Sequence, residues 1–159
     1  LDADRVVHVE SAGTGHDVYS PDDLPASQDD VQRFSMTAPN DPISFVQGAQ
    51  DNLDRARPDN VFGHGADPDE FDSVVQLHTG DYAEDSTKGS GPMYGAPAHS
   101  DVFDLDSDAW RNMVRVITGG EVETYRTPIP DPEGDGTLAR PVGWEDDGTV
   151  YDVTTGETR

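Results

Sequence analysis

The chain has 159 residues and a formal net charge of −23, because 33 acidic residues outnumber 10 lysines and arginines. It contains no cysteine, which excludes disulfides, thiolate zinc sites and cysteine nucleophiles. So negative a field argues against nucleic-acid binding, which requires a basic surface, and no apolar run approaches the roughly 18 residues of a membrane span.

Aspartate and arginine dominate the charged residues. Of the 33 acids, 25 are Asp and 8 are Glu, and Lys88 is the single lysine. At about 0.15 M salt this charge density destabilises the compact state, but at about 1 M salt the Debye length falls to about 3 Å and the repulsion is screened. Lysine is scarce because its apolar stem adds surface that strong salt makes adhesive. The composition resembles that of proteins from salt-accumulating haloarchaea and their viruses, which implies the haloarchaeal cytoplasm at high salt, or a virion, as the location.

A low apolar content also permits intrinsic disorder as an interpretation. Leu, Ile, Val and Phe make up 30 of 159 residues, a fraction typical of disordered chains when the charge is high. The acids are scattered among apolar residues rather than collected in blocks, which favours a folded chain. We therefore expect a fold with a thin core that depends on salt or on a partner.

The first 40 residues contain one strand pattern and one helix pattern. Residues 5–10 (Arg-Val-Val-His-Val-Glu) are predicted to form a short strand, and the glycines that follow indicate a loop. Ser27 and Asp30 have the spacing of a capping box, which predicts a short helix ending near Phe34.

Two further helix starts combine a capping side chain with a following proline. Asn40 and Asp41 precede Pro42, which predicts a helix that ends near Arg57. The pair at residues 67–68 repeats this signal. The residues after it form one stripe at helical spacing: Phe71, Val74, Val75 and His78.

Residues 81–100 show no hydrophobic periodicity and include a flexible stretch rich in Ser and Gly. Twenty residues without regular structure are unusual inside a compact domain. We therefore interpret residues 11–40 and 81–100 as extended, arm-like segments that contact a neighbouring chain.

The strongest helix pattern begins at the capping pair Ser107 and Asp108 and ends at Gly119 and Gly120. Its apolar face is predicted to consist of Trp110, Met113, Val114 and Ile117.

Residues 121–159 are predicted to form an antiparallel β-meander. Residues 121–127 alternate as a strand, and Asp-Gly-Thr turns at 135–137 and 147–149 each lead into a strand, at 138–142 or 150–153. The tail at 155–158 could turn once more. The whole pattern predicts a single α+β domain over residues 1–159, with short helices in the first two-thirds, antiparallel strands last and much irregular backbone.

Asp104, Asp106 and Asp108 have the spacing that opens a calcium-binding loop. The rest of that motif fails, because Ala109 stands where Gly is needed and Arg115 where a bidentate Glu is needed. The alternative is an acidic helix N-terminus capped by Ser107 or Asp108. Weakly bound Ca²⁺, Na⁺, K⁺ or Mg²⁺ ions are compatible with both interpretations, and no cofactor is predicted.

His64, His99 and Asp101 could form a set of two histidines and one carboxylate for a metal ion. No local spacing brings them together. The chain has no G-x-S-x-G elbow and no phosphate-binding loop. Trp144, Tyr151 and Tyr94 are the aromatic residues that we consider for an interface, and Trp144 could equally pack in the core.

These patterns favour a non-enzymatic structural subunit of a larger halophilic assembly, with other protein subunits as its partners. A virion component, such as a capsid, turret, decoration or tail protein, is the first hypothesis. An accessory subunit of a haloarchaeal complex is a variant of it. A small enzyme or metal-binding domain that uses His64, His99 and Asp101 is the alternative.

Overall fold

The computed structural model describes residues 3–47, 64–134 and 139–159, and its fold is α+β. The first half of the chain forms a parallel sheet of three strands in the order β1–β2–β3. These strands are β1 (Arg5–Val9), β2 (Gln32–Met36) and β3 (Val74–Gln76). The strand predicted at residues 5–10 is therefore confirmed.

Strand β2 lies at the centre of this sheet and is covered on both faces. Phe34 and Met36 are buried in the main core, while Arg33 and Ser35 are buried on the opposite face. Parallel strands need cover on both faces because their crossover connections run over the sheet. The covering layers here are a helix on one side and the irregular segments before β2 and β3 on the other.

Helical segments in the described part of the chain are short. Single turns of 3₁₀ helix occur at Pro21–Asp23, Ala26–Gln28 and Pro68–Glu70. Residues 43–47 are α-helical, and the remainder of the helix predicted from Asp41 to Arg57 lies outside the described residues. Two complete α-helices follow, α1 (Gly95–Asp101) and α2 (Asp108–Thr118).

Helix α2 confirms the prediction of its two ends. The Ser107 hydroxyl accepts a hydrogen bond from the backbone N–H of Trp110 at 3.1 Å, and Gly119 adopts a left-handed φ of 79°. Both features satisfy backbone groups that a helix end leaves unpaired.

The apolar face predicted for α2 is partly wrong. Met113 is buried as expected, but Val114 and Ile117 are exposed, the latter by 75%. Asn112 takes the inward position, because its side-chain amide donates to the carbonyl oxygens of His78 and Glu123 and accepts from the N–H of Glu123. This polar contact rotates the helix relative to its hydrophobic stripe.

The C-terminal part contains five short strands in two antiparallel arrangements. They are β4 (Glu121–Glu123), β5 (Pro128–Pro130), β6 (Pro141–Trp144), β7 (Val150–Asp152) and β8 (Glu157–Thr158). Strands β4, β7 and β8 form one sheet, and β5 pairs with β6. The predicted antiparallel C-terminus is confirmed, including a last turn at Gly156, where φ is 74°.

The turns within this region differ from the simple meander. Residues 147–149 connect β6 to β7, which belong to different sheets, so the expected hairpin at this turn is wrong. The turn predicted at 135–137 lies outside the described residues. Strands β5 and β6, and β7 and β8, pair with their neighbours in sequence, whereas β4 pairs with the more distant β7.

Two predicted helices are wrong. Residues 27–34 contain a 3₁₀ turn followed by β2, and residues 71–78 contain β3 rather than a helix. In both places the capping residues lie at a single 3₁₀ turn instead of a longer helix. The residues that follow pair with a strand that is distant in sequence. Sheet pairing and burial on two faces therefore override the local signals.

The main core lies between the parallel sheet, α1, α2 and the β4–β7–β8 sheet. It consists of Phe34, Met36, Ala38, Leu77, Met93, Ala98, Val102, Ala109, Met113, Val116, Val122 and Val153. Residues 11–40 and 81–100 both contribute to it, and α1 starts within the second segment, which was expected to have no regular structure. Their contact with a neighbouring chain stays a prediction.

Candidate functional site

The carboxyl edge of the parallel sheet holds the candidate site. Glu10 follows the last residue of β1, and Asp41 lies in the turn that follows β2. His99 reaches the same place from α1. The carboxyl ends of parallel strands meet at one edge of a sheet, which is where open α/β sheets commonly place a ligand.

One ligand atom from each of Glu10, Asp41 and His99 lies within 4.8 Å of the other two. His99 Nδ1 is 3.4 Å from Asp41 Oδ2. The two carboxylates are buried, with exposed fractions of 6% for Glu10 and 1% for Asp41. The side chain of His99 is 48% exposed, so the imidazole forms the solvent side of the cluster.

In each carboxylate one oxygen accepts a hydrogen bond and the other accepts none. Glu10 Oε1 accepts from the N–H of Ala38 at 2.9 Å, and Asp41 Oδ1 accepts from the N–H of Ile43 at 2.7 Å. Glu10 Oε2 and Asp41 Oδ2 are buried and have no hydrogen-bond partner. Buried acceptors without a hydrogen-bond partner are rare in folded proteins, so two in one cluster point to a compensating group.

Gln47 adds a third unpaired acceptor close to this edge. Its side-chain nitrogen donates to the backbone carbonyl of Ser11 at 2.6 Å, while its amide oxygen is buried without a partner. Ser11 directly follows Glu10, so an unusual number of acceptors without donors lie near the end of β1.

Burial raises the pKa of Glu10 to about 7. The hydrogen bond from Ala38 opposes this shift, and the negative charges of Asp41 and Asp69 add to it. A pKa near neutrality indicates that, among the described residues, no positive charge close to Glu10 stabilises its ionised form. A bound cation would supply that charge.

The backbone at this edge is strained. Glu10 has a φ of 45° and Asn40, immediately before Asp41, has a φ of 58°. The left-handed region costs a residue other than glycine about 1–2 kcal/mol, and such strain is concentrated at functional sites. Glu10 itself adopts this conformation, and Asp41 directly follows a residue that does.

A cleft of about 340 Å³ opens beside the cluster. Asp41 and His99 form its polar end, and the remainder of its wall is largely apolar: Pro42, Ile43, Val46, Ala96 and Ser100. A ligand in this cleft would contact His99 and Asp41 at one end.

The three residues predicted as a metal set lie in different surroundings. His99 belongs to the cluster described above, whereas Asp101 pairs with Lys88 and accepts a hydrogen bond from the Tyr82 hydroxyl at 2.9 Å. Residues two positions apart on a helix point in different directions, which separates Asp101 from His99. The backbone carbonyl of His64 accepts from the N–H of Gly15 at 2.7 Å.

The Asp104, Asp106 and Asp108 set is likewise not gathered around a point in the part of the chain that the structure describes. Asp104 pairs with Lys88 at 3.2 Å, and Asp108 accepts from the N–H of Asp81 at 2.9 Å and pairs with Arg111. Asp106 has a left-handed φ of 65°.

The three aromatic residues considered for an interface all have partners within the chain. The Trp144 ring lies edge-on to the His78 ring, with ring centroids 4.4 Å apart, and its indole N–H donates to Asp81 at 2.9 Å. Tyr151 contacts Phe34 in the core, with ring centroids 5.9 Å apart, and the guanidinium of Arg140 lies 5.5 Å from the Tyr94 ring centre.

Glu10 and Asp41 were missed by sequence reasoning. Glu10 was read only as the end of a strand, and Asp41 only as a helix cap. The usable signal was an acid directly after an apolar β-strand, but it identifies a site only when the strand is known to be parallel and its neighbour is known.

Comparisons with protein-family models, with curated proteins and with solved structures found no match for this chain. Function therefore has to be argued from the site itself. Within residues 3–47, 64–134 and 139–159, no helix combines the length and the apolar character needed to cross a membrane.

Proposed function

We propose that this protein binds a divalent metal ion through Glu10, Asp41 and His99. The observation that carries the proposal is the pair of buried, unpaired oxygens, Glu10 Oε2 and Asp41 Oδ2, in a cluster completed by an imidazole. A cation would compensate both charges at once, which no neighbouring side chain does among the residues described.

The donor set favours a transition metal such as Mn²⁺ or Zn²⁺. Ca²⁺ takes about 6–8 oxygen ligands, which two carboxylates do not approach. Imidazole suits Zn²⁺ and iron, and carboxylates suit Mn²⁺. Three protein ligands leave further coordination positions open, as in metal sites that bind or activate a small molecule.

The position of the cleft supports a site that receives a ligand. The half-exposed His99 and the buried Asp41 both line it, so a molecule in the cleft would lie next to the metal ligands. The apolar wall beside them provides area for the carbon part of such a molecule.

Titration with Mn²⁺ by isothermal calorimetry in about 3 M KCl, where repulsion is screened, tests the proposal. We expect one ion per chain, and we expect Glu10→Gln and Asp41→Asn each to weaken binding by about 100-fold or more, beyond the effect of losing an outer-shell partner. His99→Ala should weaken it less, because this side chain is half exposed.

Asp104→Asn is the matched control, because it removes an acid from the other predicted set and leaves the cluster intact. Binding that is equal in the wild type, Glu10→Gln and Asp41→Asn would contradict the proposal, as would the absence of binding by the wild type. Circular dichroism in the same buffer establishes that each variant is folded.

We also infer that the protein works in concentrated salt, on the basis of its charge of −23 and its preference for Asp and Arg. Short carboxylates keep a surface of this kind solvated. The folded chain remains compact only when salt screens the repulsion between them.

A structural subunit of a halophilic assembly, such as a virion component, is a second candidate function. Phe103, Leu105 and Ile117 are exposed by 53%, 67% and 75%. Exposed apolar side chains associate more strongly in concentrated salt. Light scattering in about 3 M KCl should detect an oligomer that Leu105→Ser and Ile117→Ser disrupt, and a monomer at all concentrations would argue against this candidate.

A further inference from the structure

A second cavity lies on the face of the parallel sheet that points away from the main core. Val6 and His8 of β1 and Arg33 of β2 point towards it, and Val6 pairs with Arg33 in the strand register. Leu24 and Phe71, from the segments that cover this face, line its other side. The cavity has a volume of about 190 Å³.

Arg33 is the charged group of this cavity and is only 9% exposed. Its Nη1 donates to the carbonyl oxygens of Gln28 and Val31 at 3.2 and 3.1 Å, and its Nη2 donates to Gln28 Oε1 at 2.6 Å. All three acceptors are neutral. A guanidinium has five N–H donors, so donor capacity remains after these contacts.

Arg33 differs from the other arginines of the described part of the chain in being buried without an ion pair to a carboxylate. Arg111, Arg126 and Arg159 each pair with acids at the surface. A buried charge without a counter-ion costs several kcal/mol, far more than an exposed one. Asp22 and Asp29 line a neighbouring pocket together with Arg33, but neither forms an ion pair with it, so the guanidinium can accept a carboxylate from a ligand.

His8 responds to this uncompensated charge. Burial lowers the pKa of His8, the positive charge of Arg33 lowers it further, and Asp69 opposes the shift. His8 is therefore neutral at pH 7 and offers a hydrogen-bonding group rather than a second charge.

We propose that this cavity binds a small organic carboxylate, whose charged end pairs with Arg33 and whose carbon part packs against Val6, Leu24 and Phe71. Planar guanidinium groups pair well with carboxylates. One buried cation beside a neutral His8 matches a monoanion better than a phosphate dianion. The cavity has the volume that about six molecules occupy in liquid water. It is therefore larger than the space that one chloride ion needs.

This proposal does not depend on the metal site, because none of Glu10, Asp41 and His99 lines the cavity. The two sites can therefore be tested separately, and the loss of one leaves the other interpretable.

Calorimetric titration with isobutyrate in about 3 M KCl is the test, with isobutyramide as a neutral molecule of the same shape. We expect saturable binding of isobutyrate with a Kd of about 1 mM, in competition with excess chloride, and no measurable binding of isobutyramide.

Arg33→Gln should weaken isobutyrate binding about tenfold or more, the value of a charge-assisted hydrogen bond. Leu24→Trp retains the guanidinium but fills the cavity, and should weaken binding to a similar extent. It also provides a result if Arg33→Gln fails to fold. Arg115→Gln, which removes an exposed arginine of α2, should leave the affinity unchanged.

Three results would overturn the proposal. They are the absence of isobutyrate binding to the wild type, equal binding of isobutyrate and isobutyramide, and an unchanged affinity in both the folded Arg33→Gln and Leu24→Trp variants.

Discussion

Acidic side chains near the edge of the parallel sheet and among the antiparallel C-terminal strands differ in their hydrogen bonding. Near the ends of β1 and β2, Glu10, Asp41 and Gln47 each keep a buried oxygen without a partner. Among the C-terminal strands, Thr127 Oγ1 donates to Asp147 at 2.6 Å, and Asp152 accepts from the N–H of Thr154 at 2.8 Å.

The pKa directions of the acids follow this difference. Hydrogen bonds from Thr127 lower the pKa of Asp147, and those from the backbone of Thr155 and Thr154 lower that of Asp152. Burial raises that of Glu10 to about 7. The C-terminal acids therefore have their partners within the chain, whereas the acids at the sheet edge have unmet capacity that a ligand can use.

The largest expected effect is the response of the whole protein to salt. Lowering KCl from about 3 M to about 0.1 M lengthens the Debye length to about 10 Å. The repulsion between the acidic side chains of a chain with a net charge of −23 is then no longer screened. We expect cooperative loss of the circular dichroism signal over this range. An unchanged spectrum would contradict the inference about salt.

Adding Mn²⁺ to the same salt titration tests whether the edge of the parallel sheet binds the ion. Mn²⁺ at about 100 times its Kd stabilises the folded state by about 2.7 kcal/mol, so the salt midpoint should move to lower KCl in the wild type. It should not move in Glu10→Gln. A similar shift in both proteins would place the stabilising ions on the general acidic surface rather than at the sheet edge.

The next effect is the pH dependence of stability without metal. The folded pKa of Glu10, about 7, lies above its model value of 4.5, so the folded state retains a proton that the unfolded state releases. The free energy of unfolding should fall as the pH rises from about 4.5 to about 7, by at most roughly 3 kcal/mol, and then level off.

His78 contributes with the opposite sign. Burial lowers its pKa from 6.5 to about 4, so its contribution to stability increases as the pH rises through that window. The difference between the wild type and Glu10→Gln isolates the Glu10 contribution. Urea unfolding at fixed KCl should show that Glu10→Gln gains stability relative to the wild type from pH 4.5 to 7. The exposed Glu133→Gln variant should show no such gain, and parallel curves for wild type and Glu10→Gln would contradict the prediction.

The smallest effect is local to helix α2, which directly precedes the C-terminal strands. Ser107→Ala removes the hydroxyl that accepts from the N–H of Trp110, and should lower the free energy of unfolding by about 1 kcal/mol. Mn²⁺ affinity should not change, because α2 does not contribute to the cluster. Urea unfolding and calorimetry measure the two quantities, and a change in both would mean that the regions are coupled.

The features that could be predicted from the sequence depend on composition or on neighbouring residues. The proposed requirement for salt rests on the numbers of Asp, Glu, Lys and Arg and stays a prediction. The ends of α2 follow from Ser107 and Gly119, strand β1 from its valines, and the last turn from Gly156, since each is specified within a few positions.

Tertiary structure alone decided where β2 and β3 form and which residues meet. Phe34 and Val74 lie in segments with helix-start signals, yet pairing with β1 and β2 and burial on both faces outweighed those signals. Glu10, Asp41 and His99 are far apart in sequence and converge only because parallel strands end at a common edge that α1 covers. With 33 acids in the chain, no spacing distinguishes Glu10 and Asp41 from the others, because burial is a property of the packed fold.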